Sequence, residues 1–323
     1  MENQVDLCFD KSIERSTFFP IQDKYLFDML KANQSTFWIP SEIDLSQDIA
    51  EYERLKPEER YYINHVLSFF SQSDFIVNTN LESFIEHVTL LELKMVLHYQ
   101  EMIEDVHSET YGLLLETFIR DEKEREIIKN GTLSFPAVKG KQEWCYKYIQ
   151  QGTLVERLIA FAIVENLFFA GSFCAIFWLR KQGKMNQGLA FSNQLIARDE
   201  SQHVRCAIYV YKNLIKNKLP EEQVIDMIKC AIEQEKAFIM ESLPVNLIGM
   251  NAEAMLQYVQ FCADGLASQL INQTIYNVVN PFPWMDLISL QTKENFFETR
   301  VSNYSKQIAQ HEIDKVIRFD AKY

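Results

Sequence analysis

The sequence predicts an all-α helical bundle with a carboxylate-rich, two-metal site in its core. Three observations lead there. Only 9 glycines and 8 prolines punctuate 323 residues, which favours long helices over many short elements. Apolar residues recur at helical spacing over long stretches, and no alternating strand pattern competes with them. Two Glu-x-x-His pairs, Glu104 with His107 and Glu200 with His203, each place a carboxylate and an imidazole on one helix face.

The elements follow in order. Pro57, Glu58 and Glu59 open the first long helix, with proline in its first turn and acids at the positive end of its dipole. This helix runs to about His87. Thr89 is a candidate cap for the next, which carries Glu104 and His107 to about Ile119. Residues 120–151, with Gly131, Pro136 and Gly140, read as a connection with room for one short helix. Further helices are expected from about Thr153 to Lys181, Gly188 to Lys216, Pro220 to Glu241 and Asn251 to Val279. Pro281-Phe282-Pro283 then ends the regular pattern. The expected organisation is one helical domain over residues 1–304, followed by a flexible tail over residues 305–323. Roughly the first 15 residues are expected to be mobile.

Composition excludes several classes. A net charge of −13 and a pI near 5.0 argue against sequence-independent binding to nucleic acid or to an anionic membrane. Cys8, Cys145, Cys174, Cys206, Cys230 and Cys262 are dispersed and form no Cys-x-x-Cys, as expected of reduced thiols in an intracellular protein, with the cytoplasm (the host's, for a viral chain) the expected location. The first residues, Met-Glu-Asn-Gln-Val-Asp, carry neither the basic region nor the apolar run of a secretory signal. Residues 158–179 are long enough to cross a bilayer, but Glu165 and Asn166 sit near the middle, where charge is costly in lipid. They read as a buried central helix.

A single Glu-x-x-His is commonly a solvated surface pair. Two copies with partners are more informative. Asp74 stands 30 residues before Glu104, and Glu165 stands 35 before Glu200. The order carboxylate, Glu-x-x-His, carboxylate, Glu-x-x-His supplies six ligands from four helices, enough for two metal ions in a bundle core. Glu165 is the strongest member, because it lies inside the apolar run from Leu158 to Ala170. A carboxylate in such surroundings requires a compensating cation.

One turn from these ligands lies a candidate apolar layer. Tyr111 follows His107 by four residues, roughly 6 Å along the helix axis. Phe169 and Phe173 follow Glu165 by four and eight, while Ile196 and Phe70 precede Glu200 and Asp74 by four each. These residues share a layer if the helices of Glu104 and Glu165 run opposite to those of Asp74 and Glu200. Residues 120–151 then supply the necessary crossover. Aromatic stripes at helical spacing are usually core, and Phe70 is assigned that role alone. Tyr111 differs, as a phenol walled by apolar groups beside a metal.

In these residues the chain resembles the small, radical-generating subunit of class I ribonucleotide reductase, in its eukaryotic and viral form. The similarity begins near Phe19-Pro20-Ile21 and takes in Phe37-Trp38 and Glu42-Ile43-Asp44-Leu45. It continues through Phe69-Phe70, Asp74, the block from Glu104 to Tyr111, and Glu165-Asn166 to Phe177-Trp178. Phe191-Ser192-Asn193, Ala197-Arg198-Asp199-Glu200, His203, Asn280-Pro281-Phe282, Trp284 and Asn295-Phe296-Phe297-Glu298 complete it. Other ferritin-like proteins share the metal pattern without Trp38, Tyr111, Asp199 and the tail together.

The resemblance implies a ferritin-like fold holding two iron ions per chain, with manganese accepted by the same ligands. Asp74, Glu104 and His107 would serve one ion, and Glu165, Glu200 and His203 the other, with Glu104 and Glu200 bridging. Oxygen activation would oxidise Tyr111 to a radical, sheltered by Phe169, Phe173 and Ile196. Asp199 would link His107 to Trp38 and open an electron route. Trp38 and Tyr304 would pass the oxidising equivalent to a large catalytic subunit, where ribonucleoside diphosphates are reduced in a thioredoxin-dependent reaction. Ile317, Phe319 and Tyr323 would dock on that partner, although Arg318 and Lys322 depart from the family pattern and bear on partner choice. A homodimer is also implied.

Two other classes use similar metals. A di-iron oxidase or monooxygenase with its own organic substrate requires an apolar channel to the ions, and has no need of Tyr111, Trp38 and Tyr304 together. A metal-storage protein predicts a much shorter chain, and leaves the docking-like tail unexplained.

Overall fold

A computed structural model of the chain describes residues 6–243, 247 and 249–285. The helices between Lys24 and Ile271 lie in one compact unit that ends at Pro281. The fold is all-α. Among the described residues the β-structure is limited to an isolated bridge between Leu247 and Met250.

Two helices precede the first long one expected: α1 (Lys24–Ser35), capped by the Asp23 carboxylate, and α2 (Ser46–Glu53). The N-terminal stretch expected to be mobile contains two short 3-10 turns, Leu7–Phe9 and Lys11–Ile13, and Cys8 is fully buried. Helix α3 (Pro57–Ile85) starts as predicted, with Pro57 in its first turn and Glu59 accepting the Lys56 N–H at 3.0 Å. Helix α4 (Leu91–Phe118) does not use Thr89 as its cap. The Thr89 N–H and hydroxyl instead both donate to the Cys8 carbonyl, at 2.8 and 3.1 Å, so a long-range bond outcompetes the local cap.

The connection over residues 120–151 holds three helices: α5 (Glu122–Lys129), α6 (Gly131–Ser134) and α7 (Pro136–Gln151). Gly131 and Pro136, read as loop signals, sit at helix starts, where Pro136 opens α7. A capping box then opens α8 (Leu154–Ile163): Thr153 Oγ1 accepts the Glu156 N–H at 3.2 Å, and Glu156 accepts the Thr153 N–H at 2.7 Å.

The next two predicted helices are interrupted. A π-helical turn, Val164–Phe168, separates α8 from α9 (Phe169–Lys181), and a second, Val210–Leu214, follows α10 (Leu189–Tyr209). A π turn inserts one residue into the register, and such turns gather at functional sites. Period cannot reveal the first, because the run from Leu158 to Leu179 around it is almost wholly apolar. Together Leu154–Lys181 is long and apolar enough to span a membrane, yet 89% of its most apolar window is buried inside the fold. It is the central core helix.

Helix α11 (Glu221–Ser242) matches expectation, whereas α12 (Ala252–Ile271) stops eight residues before Val279. Asn272 takes the left-handed conformation at φ +56° and closes the helix. The Asp264 carboxylate then accepts the N–H groups of Ile275, Tyr276 and Val278, holding the following chain in a turn.

The start of α10 depends on one buried acid. Asp48, fully buried, accepts the N–H groups of Gly188 at 3.0 Å and Leu189 at 2.7 Å, orphan donors of the helix that carries Glu200 and His203. Asp48→Ala leaves them unpaired and is expected to lower stability by about 1–3 kcal/mol. Urea denaturation of the two proteins checks this, and an unchanged midpoint would contradict it.

Candidate metal centre and the tyrosine beside it

Four helical segments converge on one buried point. Helix α3 brings Asp74, α4 brings Glu104 and His107, the π turn brings Glu165, and α10 brings Glu200 and His203. All six are buried, none more than 3% exposed. The ligand atoms of Glu104, Glu165, Glu200 and His203 lie within 4.8 Å of one another.

The two Glu-x-x-His glutamates sit between the imidazoles. His107 Nδ1 faces Glu104 Oε2 at 3.2 Å and Glu200 Oε1 at 3.0 Å. His203 Nδ1 faces Glu104 Oε1 at 3.0 Å and Glu200 Oε2 at 2.9 Å. Each glutamate thus offers one oxygen to each histidine's side. Glu165 Oε2 adds to the His203 side at 3.7 Å. Asp74 and His107 fall outside the tightest group of four. Asp74 is electrostatically close to Glu104 and His107, and its Oδ1 accepts the Ser73 hydroxyl at 3.1 Å.

The donor set fits divalent metal. Asp74 Oδ2, Glu104 Oε1, Glu200 Oε1 and both oxygens of Glu165 are buried without an aligned hydrogen bond. Burial, then repulsion from Glu104, pushes the Asp74 carboxyl well above its ordinary range. Burial, then Glu200 and Glu104, does the same to Glu165. His107 and His203 move well upward although burial opposes their charging, because Asp199, Glu104 and Glu200 surround the first and Glu104, Glu200 and Glu165 the second. This is a pocket short of positive charge, with hard oxygen and imidazole donors of the kind iron and manganese accept.

Around His107 the structure brings together Asp199, Trp38 and Arg198. His107 Nε2 lies 3.3 Å from Asp199 Oδ2, the oxygen that also accepts the Trp38 indole N–H at 2.8 Å. Arg198 holds the other Asp199 oxygen through two bonds, at 2.9 and 2.7 Å. Despite burial, His107 and Arg198 keep the Asp199 carboxyl below its ordinary range. Trp38 is itself 2% exposed, and its ring stacks on His107 at 6.0 Å and 24°.

Tyr111 is fully buried, and its hydroxyl donates to Asn193 Oδ1 at 2.9 Å. Phe70 stacks on it, with centroids 4.6 Å apart and planes 6° from parallel. Phe169 and Phe173 pack on Phe70 at 5.4 and 5.1 Å, and Ile196 is buried nearby in sequence on α10. Sequence reasoning assigned Phe70 to plain core and missed Asn193. Their signals were present: Phe70 precedes Asp74 by one turn, and Asn193 precedes Ile196 by three residues. Burial first, then Asp74 and Glu200, drives the Tyr111 pKa well up, so the phenol stays protonated.

A cavity of about 20 Å³ borders His203, lined by Gln100, Phe84, Leu97, Phe161 and Cys206 among others. It holds a water-sized molecule and no organic substrate. Tyr304, Ile317, Phe319 and Tyr323 lie outside the described residues.

Asn193→Leu strands the Tyr111 hydroxyl, and about 1–3 kcal/mol of stability should be lost. In a Tyr111→Phe background the same change should cost less, because the donor is already gone. A double-mutant cycle by urea denaturation reads the difference; strictly additive losses would exclude the bond.

Comparison with known proteins agrees with this geometry. The family model "Ribonucleotide reductase, small chain" matches residues 15–281. The ribonucleoside-diphosphate reductase small chain of Plasmodium falciparum is 46% identical over 301 residues, covering 92% of this chain and 85% of that protein. The human ribonucleoside-diphosphate reductase subunit M2 is 46% identical over 295 residues, covering 90% of this chain and 75% of its own length. Among solved structures, the Rnr4 homodimer of Saccharomyces cerevisiae superposes with a TM-score of 0.79 at 30% identity, over 93% of this chain and 92% of that one. The ferritin-like bundle read from the sequence is the observed fold, and the chain belongs to the ribonucleotide reductase small-chain family.

Proposed function

We propose that this chain, as the small subunit of ribonucleoside-diphosphate reductase, binds two iron ions and stores an oxidising equivalent on Tyr111. The observation that carries this reading is a charge balance beside a protected phenol. Asp74, Glu104, Glu165 and Glu200 are four buried carboxylates, and two divalent ions would neutralise them. Manganese satisfies the same donors.

Asp74, Glu104 and His107 would hold one ion, Glu165, Glu200 and His203 the other, with Glu104 and Glu200 shared. Bound in this way, iron supplies the oxygen-dependent one-electron oxidation that a protein side chain cannot perform by itself. The protein's own groups do the rest. Asp199 fixes the His107 ring through Nε2, leaving Nδ1 directed at the glutamates. Asn193 Oδ1 holds the phenolic hydrogen of Tyr111, and Phe70 covers the ring face, so water and reductants are kept from it. Trp38, bonded to Asp199, begins an electron route away from His107, and Tyr304 would continue it. The partner is a large catalytic subunit that binds ribonucleoside diphosphate, with Ile317, Phe319 and Tyr323 as docking residues. A homodimer and a cytoplasmic location complete the reading.

An oxidase acting on its own organic substrate needs an apolar channel to the ions, and the cavity at His203 is water-sized. It leaves room for water or a diatomic molecule only.

Metal analysis should find two ions per chain, with Glu165→Ala and His203→Ala lowering that content. Full occupancy in both variants would overturn the ligand assignment. Tyr111→Phe should keep the metals and the fold but lose the radical signal in electron paramagnetic resonance. An unchanged signal would assign the radical to another residue. Deleting residues 317–323 should leave metals and radical intact and abolish turnover with the large subunit. Tyr304→Phe should dock normally yet fail to turn over; normal docking and turnover of the truncated protein would refute the tail assignment.

A further inference from the structure

The cluster Lys141, Glu235 and Gly171 lies outside the ligand set, yet it grips the segment that carries Glu165. Lys141 on α7 and Glu235 on α11 are both fully buried, and their charged atoms lie 2.7 Å apart. A buried pair of this kind is weak evidence for stability, because desolvation of both ions offsets their attraction. Its placement suggests another use. Lys141 Nζ donates to the carbonyl of Phe168, the last residue of the π turn, at 3.1 Å. The ammonium also lies 3.5 Å from the Phe69 ring centroid and 4.2 Å from that of Phe238. On the other side of the pair, Glu235 presses against the backbone just beyond. A Cβ added to Gly171 would stand 2.7 Å from Glu235 Oε1.

We propose that the Lys141–Glu235 pair is a latch on the π turn Val164–Phe168, and through that turn the positioning device for Glu165. A π turn disrupts the regular i→i−4 ladder, so its carbonyls need outside donors and its register competes with an ordinary helix. Lys141 supplies such a donor three residues after Glu165, and Glu235 seats the chain at Gly171, six residues after it. Held at both points, the segment keeps Glu165 at the metal centre while Phe169 and Phe173 stay packed on Phe70. Slipping into α register would rotate Glu165 by about 100° relative to those rings. Lys141 and Glu235 touch no metal ligand directly. They are positioning residues, and the inference rests on the reading of Glu165 as a ligand.

The test compares the full-length chain with Lys141→Met/Glu235→Leu, which replaces the pair by apolar groups of similar size. Such replacement leaves global stability unchanged or raised. The latch predicts faster amide hydrogen exchange in residues 164–170 of the metal-free variant, although that variant melts no lower than the wild-type chain. It also predicts that the second of two Mn²⁺ ions binds about 10- to 100-fold more weakly. A merely structural pair would leave both of these at their wild-type values. Wild-type exchange and wild-type Mn²⁺ affinity in the folded double variant overturn the proposal. Should that variant fail to fold, Gly171→Ala carries the test, because its new Cβ displaces Glu235 while keeping both charges. Unchanged exchange and affinity there also overturn it. If the wild-type chain takes up fewer than two Mn²⁺ ions, the metal reading fails, while the exchange comparison still decides the latch.

Discussion

Four carboxylates buried around two imidazoles are the constraint on which the rest of this structure depends. A helix core tolerates an unpaired carboxylate only at a cost of several kcal/mol, and here four converge in one pocket. Strongly packed helices are needed to hold such a set together against its own repulsion. The long, largely apolar segment from α8 to α9 supplies that packing from the centre. The capping of α10 by buried Asp48 then sets the axial position of Glu200 and His203. Site and scaffold are inseparable, because each ligand's place is a consequence of where its helix starts.

The same charge logic orders the surroundings. Asp199 is a fifth carboxylate near the cluster, but it is neutralised locally: Arg198 takes one oxygen, Trp38 and His107 share the other. Its contact with His107 Nε2 therefore adds little to the uncompensated negative charge of the cluster. His203 has no such carboxylate. Its Nε2 has no hydrogen-bond partner among the described residues, and the cavity beside it is lined by Gln100, whose amide atoms are also unpartnered there. The two halves of the centre are therefore built differently, one closed by a charged relay to Trp38 and one bordered by a neutral, water-sized space.

Much of this was legible in the sequence, for a physical reason. Helical spacing is a rigid ruler, so two Glu-x-x-His pairs and carboxylates one helix away fix which side chains can meet. Glu165 stood out because an isolated charge in an apolar run demands an explanation. What the ruler missed was whatever breaks or bridges the helix. The first π turn is invisible because nearly every residue around it is apolar. Thr89 was lost to Cys8, eighty-one residues away in sequence, and α12 ended at a left-handed Asn272 that resembles any other polar residue on paper. Phe70 and Asn193 lay at the right spacing from known neighbours, yet spacing alone does not say which of several core residues touches the phenol.

The environment of Tyr111 connects these points to chemistry. A phenol held protonated by burial and by nearby carboxylates can give up an electron only if its proton leaves with it. Asn193 Oδ1 sets the direction of that proton but, as an amide oxygen, has no basicity with which to remove it in the resting state. Phe70, lying flat on the ring and itself boxed by Phe169 and Phe173, closes the face through which a reductant would approach. Oxidation of this side chain thus requires a strong oxidant within the buried centre, and its return to the phenol requires a route other than direct contact with solvent. Under the proposed function, the hydrogen-bonded chain from His107 through Asp199 to the buried Trp38 indole would be that route. A tyrosine that is hard to oxidise and slow to be reduced is suited to holding an oxidising equivalent until a partner draws on it.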